Sequence, residues 1–135
     1  MASPRSIEGR RVLITGAARG IGAEAARRIA AAGGRVALVG LEPELLEQTA
    51  ARCGADAIWR EADVSDAGSI ATAVDSTAKT FGGIDAVVTN AGVAGAGTVR
   101  TIDPSAFDRT IEIERVGASE ASMSDRTREL ESTRR

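Results

Sequence analysis

Tyrosine and histidine are both absent from this 135-residue chain, and lysine occurs once, at Lys79. Imidazole, the commonest proton carrier of active sites, is therefore excluded, and so is a phenol. With no histidine and a single cysteine, Cys53, no His/Cys metal cluster can be assembled. A lone cysteine also excludes an intrachain disulfide, which points to a reducing compartment. Aromatic side chains are limited to Trp59, Phe81 and Phe107. Apolar residues make up 43% of the chain, but many are alanines, which remove little area from water. A thin core and marginal stability are expected. No apolar run approaches the roughly 20 residues that a bilayer crossing requires. The stretch from Met1 to Arg10 has no apolar centre of signal-peptide type, so a cytoplasmic location is expected. Charge is nearly balanced, 17 Lys+Arg against 19 Asp+Glu, which argues against a nucleic-acid surface or a polybasic membrane patch.

What is present is an alternation. Arg11–Thr15 is a short apolar run of buried-strand type, ending in a glycine-rich turn. From Gly20 to about Ala32 the spacing is helical, with Ile21, Ala25 and Ile29 on one face and Arg27 and Arg28 on the other; Gly33 and Gly34 stop it. Arg35 to Val39 is a second apolar strand. Pro43 suits the first turn of a helix that carries Leu46, Ala50 and Cys53 and ends at Gly54. Ala57 to Arg60 is a third strand, with Trp59 as a packing residue, followed by Asp63. The next helix aligns Ile70, Val74, Ala78 and Phe81, with Lys79 on its solvated side. Ile84 to Thr89 is a fourth strand, and Asp103-Pro104 starts a further helix bearing Phe107 and Ile111. This order predicts an α/β fold: a Rossmann-type, doubly wound parallel sheet, incomplete at about four strands.

The character changes near Glu114. Residues 115–135 hold five arginines, four acids and four serines, without an apolar face. The expected organisation is a nucleotide-binding domain over 1–114 and an irregular, disordered tail over 115–135. A frayed helix over Asp125 to Ser132 and a partner-binding arm are the other readings of the tail.

The turn itself has the spacing Gly-x-x-x-Gly-x-Gly, at Gly16, Gly20 and Gly22. Gly16 lets the chain leave the strand tightly, Gly20 admits a pyrophosphate without a Cβ clash, and Gly22 lets the helix pack against the strand. Free amides at the helix start, with the helix dipole, attract phosphate. A glycine turn with no ligand is the bland alternative, and the strand-turn-helix setting weighs against it.

Three ordered motifs, T-G-A-A-R-G-I-G at 15–22, D-V at 63–64 and N-A-G at 90–92, resemble the short-chain dehydrogenases/reductases. The segment I-D-P-S-A-F-D-R-T-I-E-I at 102–113 is similar to that family's next helix, so the resemblance covers about residues 8–113. It implies a hydride-transfer oxidoreductase acting on a carbonyl or alcohol with NAD or NADP. By this resemblance Ala18, Arg19 and Ile21 line the pyrophosphate, Asp63 and Val64 border the adenine, and Asn90, Ala91 and Gly92 run beside the adenine-side ribose and steady the sheet. As plain structure, Asp63 is a strand-end cap, Asn90 a turn former and Arg19 a solvated side chain.

NAD-preferring members carry an acid at the end of the second strand for the ribose 2′-hydroxyl. Gly40 stands there, and Arg19 lies within the glycine motif, where a basic residue pairs with a 2′-phosphate. NADP(H) is therefore favoured over NAD(H), although Glu42, two residues on, would reach the ribose in a shifted turn. The family's Tyr-x-x-x-Lys pair, in which the lysine lowers the tyrosine pKa, cannot exist in a chain without tyrosine. No catalytic residue is assigned, and Ser119, Ser122 and Ser124 receive no role. The family's proton-relay asparagine aligns with Glu114. The expectation is a dinucleotide-binding half without hydride transfer of its own, through truncation or a broken reading frame. The alternatives are a non-catalytic dinucleotide-binding module and a non-functional product. The fourth strand, left uncovered, is an edge prone to self-association.

Overall fold

A computed structural model describes residues 6–92 together with Pro104 and Ser105. The expected tail, the boundary at 114, and Phe107 and Ile111 lie outside the described residues; Pro104 and Ser105 are helical and exposed. The elements run β1 (Arg11–Thr15), α1 (Gly20–Ala31), β2 (Arg35–Gly40), α2 (Pro43–Cys53), β3 (Ile58–Glu61), α3 (Ala67–Phe81) and β4 (Ala86–Val88). All strands are parallel, in the order β3-β2-β1-β4. The chain winds outward from β1 to β3, then crosses back to place β4 on the other side of β1. That reversal creates a crevice at the C-terminal ends of β1 and β4.

Strand alternation distributes the core to both faces. Val12, Ile14, Val36 and Leu38 point to the side covered by α1 and α2, where they meet Ala26, Leu46 and Ala50. Leu13, Ala37 and Val39 point to the side covered by α3, against Ile70, Ala73, Val74 and Phe81. Both faces being buried explains why the strands are continuous apolar runs. Trp59 packs at the edge of the first cluster and Cys53 beside it. Burial pushes the Cys53 thiol pKa up, which disfavours the reactive thiolate.

Most elements begin and end within a residue or so of their expected bounds. On the expected apolar face of α1, Ile29 packs at the edge of the core and Ala25 is half-buried, but Ile21 is 80% exposed, and the fully buried residues are Gly22 and Ala26. A Cβ on Gly22 would overlap the Gly16 carbonyl, so the glycine side of the helix presses against the turn that follows β1. β4 is shorter than expected, since only Ala86–Val88 pairs with β1.

α3 is closed at both ends. Asp66 caps it by accepting from the Gly68 and Ser69 amides, and Gly82 ends it in the left-handed conformation, φ 79°. Beyond Gly82, the Asp85 carboxylate takes the Arg11 side chain through Nε (2.9 Å) and Nη2 (2.8 Å), and the Arg11 amide at 2.8 Å. Arg11 also donates to the Gly82 carbonyl at 2.8 Å. The bonded guanidinium holds Asp85 at about pKa 2. No described helix is long and apolar enough to cross a membrane.

Candidate functional site

The crevice at the switch point is a cleft of about 470 Å³, within the size range of small-molecule sites. Its floor is the turn between β1 and α1. Gly16 adopts φ 65°, and a Cβ on it would come within 2.8 Å of the Ala91 Cα. Gly16 must be glycine twice over, for its backbone angle and for the approach of the 90–92 segment. Gly20 adopts φ 62°, and its absent side chain would meet nothing within 4 Å. Its glycine serves the backbone and keeps that space open. The N–H groups of the first turn of α1 have no intrahelical acceptors, so the turn is a natural anion cradle.

The turn is braced from three directions. Thr15 Oγ1 accepts from the Asn90 and Ala91 amides, both at 3.1 Å, which ties the end of β4 to the end of β1. Asn90 Nδ2 donates to the Gly16 carbonyl at 3.3 Å. Thr49 on α2 donates from its hydroxyl to the Ala18 carbonyl at 3.1 Å, and the Ala17 amide donates to Val39 at 3.2 Å.

Ten of the twelve expected site residues line the cleft: Gly16, Ala18, Arg19, Ile21, Gly40, Asp63, Val64, Asn90, Ala91 and Gly92. Gly20 and Gly22 shape it without lining it. Leu41, Glu42 and Ala62 line it as well. Leu41 and Ala62 were not anticipated; the signal for Leu41 was a large apolar residue just past a buried strand, and it is 55% exposed. With Ile21 it puts two exposed apolar side chains on the cleft.

The cleft also holds charge. Arg19 Nη2 lies 3.2 Å from Glu42 Oε1, linking the glycine turn to the start of α2. Asp63 serves its own turn: its Oδ1 accepts from the Ser65 amide (2.9 Å) and hydroxyl (2.7 Å). Ser69 Oγ accepts from the Asp63 amide at 3.0 Å. Asp63 is therefore a strand-end cap that also borders the cleft. Lys79 is exposed on α3, the helix on the other side of the sheet from α1.

A short-chain dehydrogenase family model matches residues 10–124. The chain belongs to the short-chain dehydrogenase family. Short-chain dehydrogenase reductase 5 of Arabidopsis thaliana is 38% identical over 119 residues, covering 87% of this chain and 46% of that protein. The 2-(R)-hydroxypropyl-CoM dehydrogenase of Xanthobacter autotrophicus is 39% identical over 108 residues, 75% of this chain and 43% of its own length. Among solved structures, a 3-ketoacyl-(acyl-carrier-protein) reductase from Brucella melitensis complexed with NADH superposes with a TM-score of 0.84 at 31% identity, covering 87% of this chain and 49% of that one. An NAD+-bound xylitol dehydrogenase gives the same TM-score and identity. The chain thus spans under half the length of these curated relatives, and that share is the Rossmann-type part of a short-chain dehydrogenase.

Proposed function

We propose that this chain is the dinucleotide-binding half of a short-chain dehydrogenase and that it holds NADP(H) in preference to NAD(H). The observation that carries the proposal is the junction of the two motifs. The glycine turn and the Asn90 segment meet through Thr15 and the Gly16 carbonyl, at the crevice where the order of the described strands reverses. The residues fit the cofactor: Gly20 leaves open space beside the first turn of α1, and the cleft continues past Gly40 to Asp63 and Val64. In this assignment Ala18, Arg19 and Ile21 receive the pyrophosphate, Asp63 and Val64 border the adenine, and Asn90, Ala91 and Gly92 flank the adenine-side ribose.

Gly40 supports the phosphate-bearing cofactor. Its backbone does not require glycine, since a Cβ would meet only ordinary contacts, 3.5 Å from Leu46 and 3.7 Å from Ala18. A carboxylate that would accept the ribose hydroxyl and repel a 2′-phosphate is therefore missing without any steric demand. When bound, the nicotinamide supplies hydride; the residues of this chain orient the dinucleotide and do not supply the tyrosine that the family uses for the accompanying proton. Hydride transfer to a carbonyl is accordingly a property of a longer protein, and this chain alone binds without turnover. A cytoplasmic location accords with the single thiol. Self-association would run through β4, which among the described residues pairs with β1 alone.

The test is a titration with NADPH and NADH, read by nicotinamide fluorescence and by the shift in thermal midpoint. Saturable binding of both, tighter for NADPH, is expected. No fluorescence change and no thermal shift with either would remove the proposal.

A further inference from the structure

Arg19 and Glu42 were separate features of the sequence, and the fold makes them one. Arg19 is the N-cap residue of α1, where its charge adds to the positive end of the helix dipole beside the glycine turn. Glu42 is the N-cap residue of α2, and its side chain makes no capping bond to its own helix. Its carboxylate reaches across the cleft to Arg19 at 3.2 Å. Arg19 is the one cation among the described cleft-lining residues. The other acid there, Asp63, has its Oδ1 engaged by Ser65. Gly40 and Leu41, between the end of β2 and Glu42, bring no charge.

We propose that Glu42 sets how strongly the cleft discriminates between the two dinucleotides, by holding Arg19 as an internal counter-ion. This rests on the cofactor site assigned above. A 2′-phosphate entering beside Gly40 has to take Arg19 from a carboxylate already paired with it. Glu42 therefore subtracts from the NADP preference that Gly40 and Arg19 create, and the chain should discriminate less than either residue implies. The Arg19 side chain is 76% exposed and that of Glu42 is 39% exposed. Displacement of so open a pair is cheap, so the effect is a graded one.

The experiment is a four-corner cycle of wild type, Glu42→Gln, Arg19→Gln and the double variant. Dissociation constants for NADPH and NADH are measured by calorimetry at low salt. The ratio of the two constants is the readout, because a change in folded fraction moves both together. Glu42→Gln is expected to raise the preference for NADPH by about threefold, the order of an exposed ion pair. The gain should vanish in the Arg19→Gln background. An unchanged ratio in Glu42→Gln overturns the inference while leaving the cofactor site standing, and so does an equal gain in both backgrounds, which would mean direct repulsion of phosphate. Failure of wild type to bind either dinucleotide removes the cofactor site and this inference together.

Discussion

At the N-terminal ends of its strands the sheet is fastened by charge, and at the C-terminal ends it is shaped by missing side chains. Arg11 and Asp85 clamp β1 to the approach of β4 through paired hydrogen bonds, and Arg35 stacks over Phe81 at 4.4 Å from the ring centroid. At the opposite ends, Gly16 and Gly22 bring backbone against backbone and Gly20 leaves open space, while the Arg19–Glu42 pair on the cleft is open to solvent. Tight backbone contact there leaves amides free to face a ligand, whereas a packed clamp such as Arg11–Asp85 would occupy the space a ligand needs. The glycine end is thus specified by geometry and tolerates little change of shape, while the clamped end depends on protonation.

Gly22→Ala tests the geometric end and carries the largest expected effect. The new Cβ would overlap the Gly16 carbonyl and lie 2.7 Å from Asn90 Nδ2, and neither the turn nor the Asn90 strap can yield without opening the cleft. A loss of roughly 3 kcal/mol or more is expected from urea unfolding, together with loss of NADPH binding. Near-wild-type stability would mean that α1 does not press on the Gly16 turn as described.

Asp85→Asn tests the clamped end. Asp85 has a folded pKa of about 2, below the ordinary 3.8. Its contribution is therefore complete above about pH 4, and is lost as the pH falls through 2. The paired side chains are 24% and 30% exposed, so solvent screening reduces the value of the clamp to about 1 kcal/mol. The variant should lose about that much at pH 7, and its deficit relative to wild type should close towards pH 2. A deficit that is constant from pH 7 to pH 2 would assign the cost to packing. NADPH affinity, read on the folded protein, should move far less than in Gly22→Ala, since the clamp lies at the far end of the sheet.

The two ends also differed in how well they could be read from residues. The glycine turn, Asp63 and Asn90 are motifs whose spacing carries their geometry, and the strands between them are continuous apolar runs with glycine punctuation. Ile21 shows where periodicity stops helping: the apolar face it belongs to holds at Ile29, whereas Ile21 itself is exposed. Pairings across long sequence separations had no local signal. Arg11 and Asp85 are 74 residues apart, and Arg19 meets Glu42 only once β2 lies beside β1. The Asp66 cap follows an ordinary rule, an acidic residue immediately before a helix, and stands three residues after the stronger signal of Asp63.

An effect no larger is expected between the two ends, in the middle of α3, and its sign is reversed. Thr77 is fully buried against the sheet, and its hydroxyl has no hydrogen-bond partner among the described residues. A buried polar group without a partner costs free energy that an apolar group of the same shape does not. Thr77→Val keeps the branched shape and removes the hydroxyl, and should stabilise the protein by about 1 kcal/mol in urea unfolding at pH 7. The gain should be the same at pH 7 and at pH 3, in contrast to Asp85→Asn, because no proton is exchanged at this position. Both dinucleotide affinities should be untouched, because Thr77 is not among the residues lining the cleft. Destabilisation instead would show that the hydroxyl is engaged and that α3 is held on the sheet by more than apolar contact. A gain that was accompanied by altered NADPH binding would show that the core beneath α3 and the cleft at the glycine end are not independent, and the separation of the two ends would fail with it.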